Sequence, residues 1–306
     1  MSSDFVNTRR PLRGTLRSRL GSRLACAALA AGLLAPATPV PAQDVDPGFN
    51  LFSVAQDVEI GRQSAAEAEK QLPMLGDRSV DRYVGDVLER LAAQAPGARY
   101  PYQIKVVNAT DVNAFTLPGG FMYVNRGLLE AARSESELAA VLAHETAHVA
   151  LRHGTHQASK ALVARAGIGI LGSLLDGDRR KSGKILDTIG GVGLNAVFLK
   201  FSRDAEHEAD LVGSRMMRDA GYDPAAMADF FELLQREQRR NPSRVERFFS
   251  SHPSPADRAT RIRAEAGRLG RVQRPREIGG FDGMQAELRD LPEPRSPRAG
   301  LRGQRR

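Results

Sequence analysis

The sequence has almost no cysteine and no apolar run long enough to span a membrane. Cys26 is the single cysteine among 306 residues, which excludes a disulfide-stabilised scaffold and a cysteine-based zinc site. The apolar stretches 24–34 and 161–175 fall short of the roughly 20 residues that cross a bilayer. The net charge of +8 comes from the two ends, because the segment 43–270 by itself carries −1. The main body therefore lacks the basic surface typical of a nucleic-acid-binding domain, and no nucleic-acid partner is predicted.

The first 42 residues have the order of features typical of an export signal. Six arginines precede the apolar run 24–34, and Val40-Pro41-Ala42 supplies small residues at a cleavage site. We therefore expect a signal peptide over 1–42 and a mature chain in the periplasm, with an uncleaved N-terminal anchor as the alternative. At the other end, residues 271–306 are rich in Arg, Pro and Gly and are predicted to form a disordered tail.

The segment between these ends, 43–270, shows mostly helical patterns with a few extended ones. Periodicity predicts helices over 53–71 and 79–94 and strands over 102–107, 114–117 and 121–124, the last two joined by a Pro-Gly-Gly turn. A capping box formed by Ser134 and Glu137 starts a helix that runs to about Arg152. For 161–175, a core or lid helix is favoured over contact with a membrane. The fold class predicted is α+β and mainly helical, with a small sheet.

Residues 144–148 read His-Glu-Thr-Ala-His on the helix that starts at Ser134. His144 and His148 leave the same helix face, so both imidazoles can reach one metal ion at about 2.0–2.1 Å. Glu145 is rotated by about 100° from His144 and can approach a water molecule on the metal without being a ligand. Zinc lowers the pKa of such a water, and the carboxylate completes its deprotonation. The motif thus predicts two metal ligands and a general base.

A third ligand must come from elsewhere in the chain. His156 lies about 12 Å beyond His148 along a continuous helix and is out of reach. Polar side chains usually lie on the surface, and we predict this position for both His153 and His156.

The acidic segment Glu-His-Glu-Ala-Asp at 206–210 offers a better third ligand. Glu206 and Asp210 share one helix face, so Glu206 can bind the metal while Asp210 accepts the free ring N–H of a ligating histidine. Glu208 points roughly 200° away from Glu206 and is a poor ligand. A solvated acidic face is the alternative for this segment taken alone. Two histidines and a carboxylate suit zinc, although iron or manganese could also bind to them in vitro.

The two motifs together resemble peptidase family M48, a family of zinc metallopeptidases. HETAH is followed by SRDAEHEADLVG at 202–213, and three further segments match in the family's order: NAFTLPGGFMYVNRGLL at 113–129, AGYDPAAMADFFELL at 220–234 and SHPSPADRATRI at 251–262. The resemblance covers about residues 50–267. It implies a zincin-like metallopeptidase domain at 43–270, with a small sheet beside the HExxH helix.

The resemblance also implies a role for each matching residue. One zinc ion would be bound by His144, His148 and Glu206, with Glu145 as the general base and Asp210 behind a ligating histidine. His252 resembles a family histidine on a mobile loop, where it would either occupy the open metal position and keep the enzyme latent or stabilise the oxyanion, and Arg258 would anchor that loop. A substrate would be held as a strand added along 113–124, next to Asn113, Ala114, Phe115, Gly119 and Gly120.

The sequence therefore predicts an exported zinc-dependent endopeptidase that acts on misfolded or stalled envelope proteins. No long membrane span or repeat array accompanies the motifs, which points to the soluble, exported branch of the family. Unfolded proteins are the expected partners, with the membrane surface or the outer-membrane assembly machinery as further ones. The alternative is a chaperone-like periplasmic binding module for outer-membrane protein quality control, which 113–124 and 161–175 would serve equally well. A small-molecule hydrolase is less favoured, because it would need a closed pocket.

Overall fold

The computed structural model describes residues 48–166, 200–253, 257–270, 272 and 274–294. The predicted signal peptide and most of the apolar stretch 161–175 lie outside these residues. Numbered over the described part, the helices are α1 Val54–Gln71, α2 Arg78–Ala92, α3 Arg126–Ala131, α4 Glu135–Ala150, α5 His153–Ala166, α6 Arg203–Asp219, α7 Ala225–Arg240, α8 Pro242–Ser251, α9 Arg258–Leu269 and α10 Phe281–Asp290. None of them is both long and apolar enough to cross a membrane.

A three-stranded sheet accompanies the helices. Its strands are β1 Gln103–Val107, β2 Ala114–Leu117 and β3 Phe121–Asn125, in the order β1-β3-β2. The central strand β3 runs parallel to β1 and antiparallel to β2, so β2 lies at one edge of the sheet. The predicted strands and the predicted α+β class are thus confirmed.

The turn between β2 and β3 presses against α1 and depends on glycine. Gly119 has a φ of +76°, a backbone conformation that residues with a side chain rarely adopt. A Cβ atom at this position would also lie 2.5 Å from the Cα of Val58 in α1. The Pro-Gly-Gly sequence therefore sets both the tight turn and the approach of α1 to the sheet.

Helix α4 is the centre of the fold, since every one of its residues is buried. Its first turn is capped as predicted: the Ser134 hydroxyl accepts a hydrogen bond from the Glu137 amide at 3.2 Å. The Glu137 carboxylate accepts from the Arg133 amide at 2.8 Å rather than from Ser134, so the box is shifted by one residue. Helix α6 packs closely along α4, because Gly213 has no side chain to separate the two backbones: a Cβ there would lie 3.2 Å from the amide nitrogen of His144.

The prediction of disorder over 271–306 is wrong for residues 274–294. Helix α10 buries Phe281, Met284 and Leu288 against the core, and the spacing of these three residues places them on one helix face. The buried carboxylate of Glu135 accepts hydrogen bonds from the backbone amides of Ile278, at 2.5 Å, and Gly279, at 3.0 Å. The average composition of the segment hid this short apolar stripe. Residues 295–306 lie outside the described part of the chain.

Candidate metal centre

The close packing of α4 and α6 brings the two sequence motifs together. The Nε2 atoms of His144 and His148 are 3.0 Å apart on α4. Glu206 of α6 faces both, with one carboxylate oxygen 3.5 Å from His144 Nε2 and the other 3.3 Å from His148 Nε2. His252, which follows α8, completes the group: its Nδ1 lies 3.4 Å from His144 Nε2 and 2.9 Å from Glu206.

These four side chains fit a metal ion. They are all buried, and one ligand atom from each lies within 4.8 Å of the others. Tetrahedral coordination at 2.0–2.1 Å would separate neighbouring ligand atoms by about 3.3 Å, which is close to the distances found. Imidazole nitrogens and a carboxylate oxygen that converge in this way form a donor set that suits zinc.

Asp210 and Arg258 lie behind His144. Asp210 Oδ1 is 3.1 Å from His144 Nδ1, on the side of the ring away from the ligand group. The fully buried Arg258 guanidinium donates from Nε to Asp210 at 2.9 Å and from a terminal nitrogen at 2.7 Å, and it reaches Glu206 at 2.8 Å. Burial by itself would lower the pKa of His144, but Glu206 and Asp210 outweigh it and raise this pKa to about 9 in the metal-free site.

Glu145 points into the same buried space. Its carboxylate is 0% exposed, and neither oxygen has a hydrogen-bond partner among the described residues. The nearest charged or titratable neighbour, His252 Nε2, lies 3.3 Å away. Burial raises the pKa of Glu145, since a carboxylate loses its hydration there. A carboxylate with a raised pKa takes up a proton more readily than an exposed one.

His148 contacts two rings, Phe201 and His153, that were not predicted to take part in the site. Phe201 stacks on its ring with centroids 3.8 Å apart and an angle of 14° between the planes. His153 Nδ1 lies 2.8 Å from His148 Nδ1, and His153 Nε2 is 3.1 Å from the Glu208 carboxylate.

The prediction that His153 is a surface residue is wrong, because its exposure is only 7%. The prediction rested on the usual exposure of polar side chains, but Arg152 has a φ of +57° and separates α4 from α5. The reversal sets His153 beside His148. The predicted end of α4 near Arg152 was the signal that could have shown this. His156, by contrast, is partly exposed and hydrogen-bonds the Phe49 carbonyl at 2.8 Å.

The segment expected to hold a substrate runs along the same site. Ala114, Gly119 and Gly120 are buried, while Phe115 is partly exposed and stacks on Tyr123. Asn113 is also buried, and its Oδ1 has no hydrogen-bond partner among the described residues. A small cavity beside the ligands has Thr116 and Leu117 of β2 among its lining residues, together with His148 and Phe201.

Comparisons with known proteins agree with this arrangement. The chain is 29% identical over 238 residues to the beta-barrel assembly-enhancing protease of Yersinia pestis, covering 75% of the chain and 49% of that relative. It is 31% identical over 212 residues to the mitochondrial metalloendopeptidase OMA1 of Schizosaccharomyces pombe, covering 67% and 60%. It is 35% identical over 172 residues to the metalloprotease LoiP of Escherichia coli, covering 53% and 62%.

The chain spans about half the length of the beta-barrel assembly-enhancing proteases that it matches. The profile of peptidase family M48 matches residues 78–266, which is more than half of the chain and includes both α4 and α6. With the buried histidine and glutamate group, this match shows that the chain belongs to peptidase family M48, a family of zinc metallopeptidases.

Proposed function

We propose that this protein is a zinc-dependent endopeptidase in which His144, His148 and Glu206 bind the metal and Glu145 is the general base. The observation that carries the proposal is the Glu145 carboxylate, which is fully buried beside the ligands and has no hydrogen-bond partner among the described residues. Burying a carboxylate without a hydrogen bond costs stability, so its position is best explained by a role in the reaction.

When bound, zinc polarises the scissile carbonyl and makes water more acidic. Glu145 takes a proton from the attacking water while the water oxygen forms a bond to the carbonyl carbon. The carbon–nitrogen bond then breaks, and Glu145 returns the proton to the departing amine. Asp210 holds the ring of His144 by accepting its Nδ1–H, and Arg258 holds Asp210.

His252 is proposed to keep the enzyme latent by closing the ligand group. Its Nδ1 lies 2.9 Å from Glu206, and the side chain is 1% exposed. A substrate carbonyl that approached the metal would meet this imidazole first. Stabilisation of the oxyanion is the other role weighed for His252, and the experiment below separates the two.

The substrates proposed are extended segments of unfolded proteins. The edge strand β2 has a neighbour, β3, on one side, and the buried Oδ1 of Asn113 at its beginning can accept a hydrogen bond from a substrate amide. Backbone pairing of this kind selects for extended chain rather than for sequence. Asn113, Ala114, Phe115, Gly119 and Gly120 would line the path.

The periplasm is the proposed location, with misfolded or stalled envelope proteins as substrates. The features of a signal peptide over 1–42 support export, and the relative in Yersinia pestis named for enhancing beta-barrel assembly supports a link to outer-membrane proteins. The metallopeptidase domain would begin near residue 43 and include α10, because α10 packs on the core.

The test is casein digestion by the zinc-loaded full chain and three variants. Glu145→Gln keeps the shape of the side chain but not its basicity and should lower the rate by about 10²–10⁴-fold. Glu246→Gln, on the exposed part of α8, makes the same chemical change away from the site and should leave the rate unchanged. His252→Ala should raise the rate if His252 closes the site and lower it if His252 stabilises the oxyanion.

The proposal fails if wild type and His252→Ala both hold one zinc ion per chain and neither cleaves casein. Suppression of casein aggregation by these zinc-loaded proteins would then favour the chaperone-like binding module instead.

A further inference from the structure

His148 differs from His144 in what lies behind its ring. The ring nitrogen of His144 that faces away from the metal group meets a carboxylate, Asp210. The corresponding nitrogen of His148 meets another histidine: the Nδ1 atoms of His148 and His153 are 2.8 Å apart, which is a hydrogen-bond distance. The far nitrogen of His153, Nε2, is 3.1 Å from Glu208.

The direction of these hydrogen bonds follows from the position of the metal group. His148 Nε2 faces His144 and Glu206, so it must be free of a proton when a metal binds there. The proton of the neutral His148 ring then lies on Nδ1, which makes His148 the donor and His153 Nδ1 the acceptor. His153 in turn carries its proton on Nε2 and donates it to Glu208.

We infer that His153 is a positioning residue for the zinc ligand His148, and that Glu208 selects the tautomer of His153 in which its Nδ1 accepts. The inference rests on the ligand set proposed above. A ligating imidazole that donates its second N–H to a fixed acceptor is held in orientation and becomes a better ligand.

The backbone around His153 supports this role. Arg152, with its left-handed backbone, holds the junction between α4 and α5 by an ion pair from Nε to the buried Asp57 at 2.7 Å. His153 is therefore the first residue of α5 and cannot shift along α4. Phe201 stacks on the His148 ring and restricts its plane. The hydrogen bond to His153 and the stacking on Phe201 together hold the His148 ring in one orientation, with its Nε2 toward the metal group.

The test is zinc affinity of the full chain, measured by competition with a chromogenic chelator. His153→Ala removes the acceptor and should lower the affinity by about 10–100-fold, as is usual for residues that support a metal ligand. His153→Gln keeps an acceptor oxygen on a side chain of similar length and should recover most of this loss. His156→Ala removes a partly exposed histidine from the same helix and should bind zinc like the wild type.

Two further measurements separate positioning from general damage to the fold. The urea midpoint of each metal-free variant reports on the fold alone. The visible spectrum of the cobalt-substituted protein reports on ligand geometry, and it should change for His153→Ala and return toward wild type for His153→Gln.

The inference is overturned if His153→Ala binds zinc within about twofold of wild type. It is equally overturned if His153→Gln recovers the urea midpoint but neither the affinity nor the cobalt spectrum. Failure of the wild type itself to bind zinc would instead contradict the proposed ligand set, so the two failures are distinguishable.

Discussion

The two histidines of the HExxH motif are supported in opposite ways. Behind His144 lie Asp210 and Arg258, an ion pair that is almost completely shielded from water. Behind His148 lie His153 and then Glu208, whose side chain is 59% exposed. The His144 flank, formed by Asp210 and Arg258, is thus a buried pair of full charges. The His148 flank, formed by His153 and Glu208, is a chain of hydrogen bonds that ends at a solvent-exposed carboxylate.

The difference in exposure determines which charges contribute most to the free energy of unfolding. Removing one partner of a buried ion pair costs about 3–5 kcal/mol, since the other charge is left unpaired in a poorly solvated place. An exposed pair contributes about 0.2–1 kcal/mol, because water replaces the lost partner. The buried pair of Asp210 and Arg258 should therefore dominate stability, while loss of the exposed Glu208 carboxylate should change metal affinity only slightly.

The largest effect is expected from Arg258→Met. Methionine fills a similar volume without a charge, which leaves Glu206 and Asp210 facing each other without the guanidinium that now contacts both. The metal-free protein should lose about 3–5 kcal/mol of unfolding free energy, measured by urea denaturation with a chelator present. Zinc should offset part of this loss, because the ion replaces the missing positive charge beside Glu206.

The same helix α9 offers a matched control. Arg263 makes ion pairs of similar length with Asp229 and Glu232, but all three side chains are well exposed. Arg263→Met should therefore cost less than about 1 kcal/mol. Equal losses for the two variants would contradict the idea that burial distinguishes the two sets of charges.

Asp210→Asn should destabilise the fold less than Arg258→Met, because Arg258 keeps its contact with Glu206, and its main effect is expected on metal binding. The amide keeps the shape of the side chain but removes the negative charge behind His144, so zinc affinity should fall by about 10–100-fold. The loss should persist in 1 M salt, since the pair is buried and poorly screened. Asp219→Asn, at the exposed end of the same helix α6, is the control and should leave zinc affinity unchanged.

Much of this architecture could be predicted from local sequence patterns. Apolar periodicity predicted α1 and α2, and the spacing of His144 and His148 placed them on one helix face. These features depend on residues within one or two turns of each other. The approach of Glu206 to α4 depends on a packing contact at Gly213, which is distant in the sequence from α4. Glu206 was therefore predicted as a ligand only by pairing its segment with the HETAH motif, and the family resemblance agreed.

The two incorrect predictions, for His153 and for residues 274–294, also have physical reasons. His153 was predicted to lie on the surface because polar side chains usually do, but the left-handed residue Arg152 turns the chain so that His153 lies beside His148. Helix α10 was missed because its polar residues dominate the composition of 271–306, although three apolar residues at helical spacing are enough to bury one face.

On the His148 flank, Phe201→Leu tests the stack at nearly constant volume. A stacked aromatic pair contributes about 0.5–1.5 kcal/mol beyond the area it buries, so zinc affinity should fall by about 2- to 12-fold. Phe249→Leu, in a ring pair with Phe248 on α8, alters an aromatic contact that does not involve a ligand of the proposed set. An equal loss of zinc affinity in this control would show that the effect comes from packing in general.

The smallest effect, and the sharpest test of the comparison, is expected from Glu208→Ala. Water can replace the exposed carboxylate as the acceptor for His153, so zinc affinity should fall by at most about fivefold. The loss should disappear in 1 M salt, where charges farther apart than about 3 Å are screened. Asp204→Ala removes another exposed acid from α6 and controls for the change in net charge. The opposite outcome is a loss for Glu208→Ala that matches that for Asp210→Asn and persists in 1 M salt. The Glu208 carboxylate would then be shielded from water like Asp210, because only a shielded carboxylate can act so strongly through a neutral imidazole.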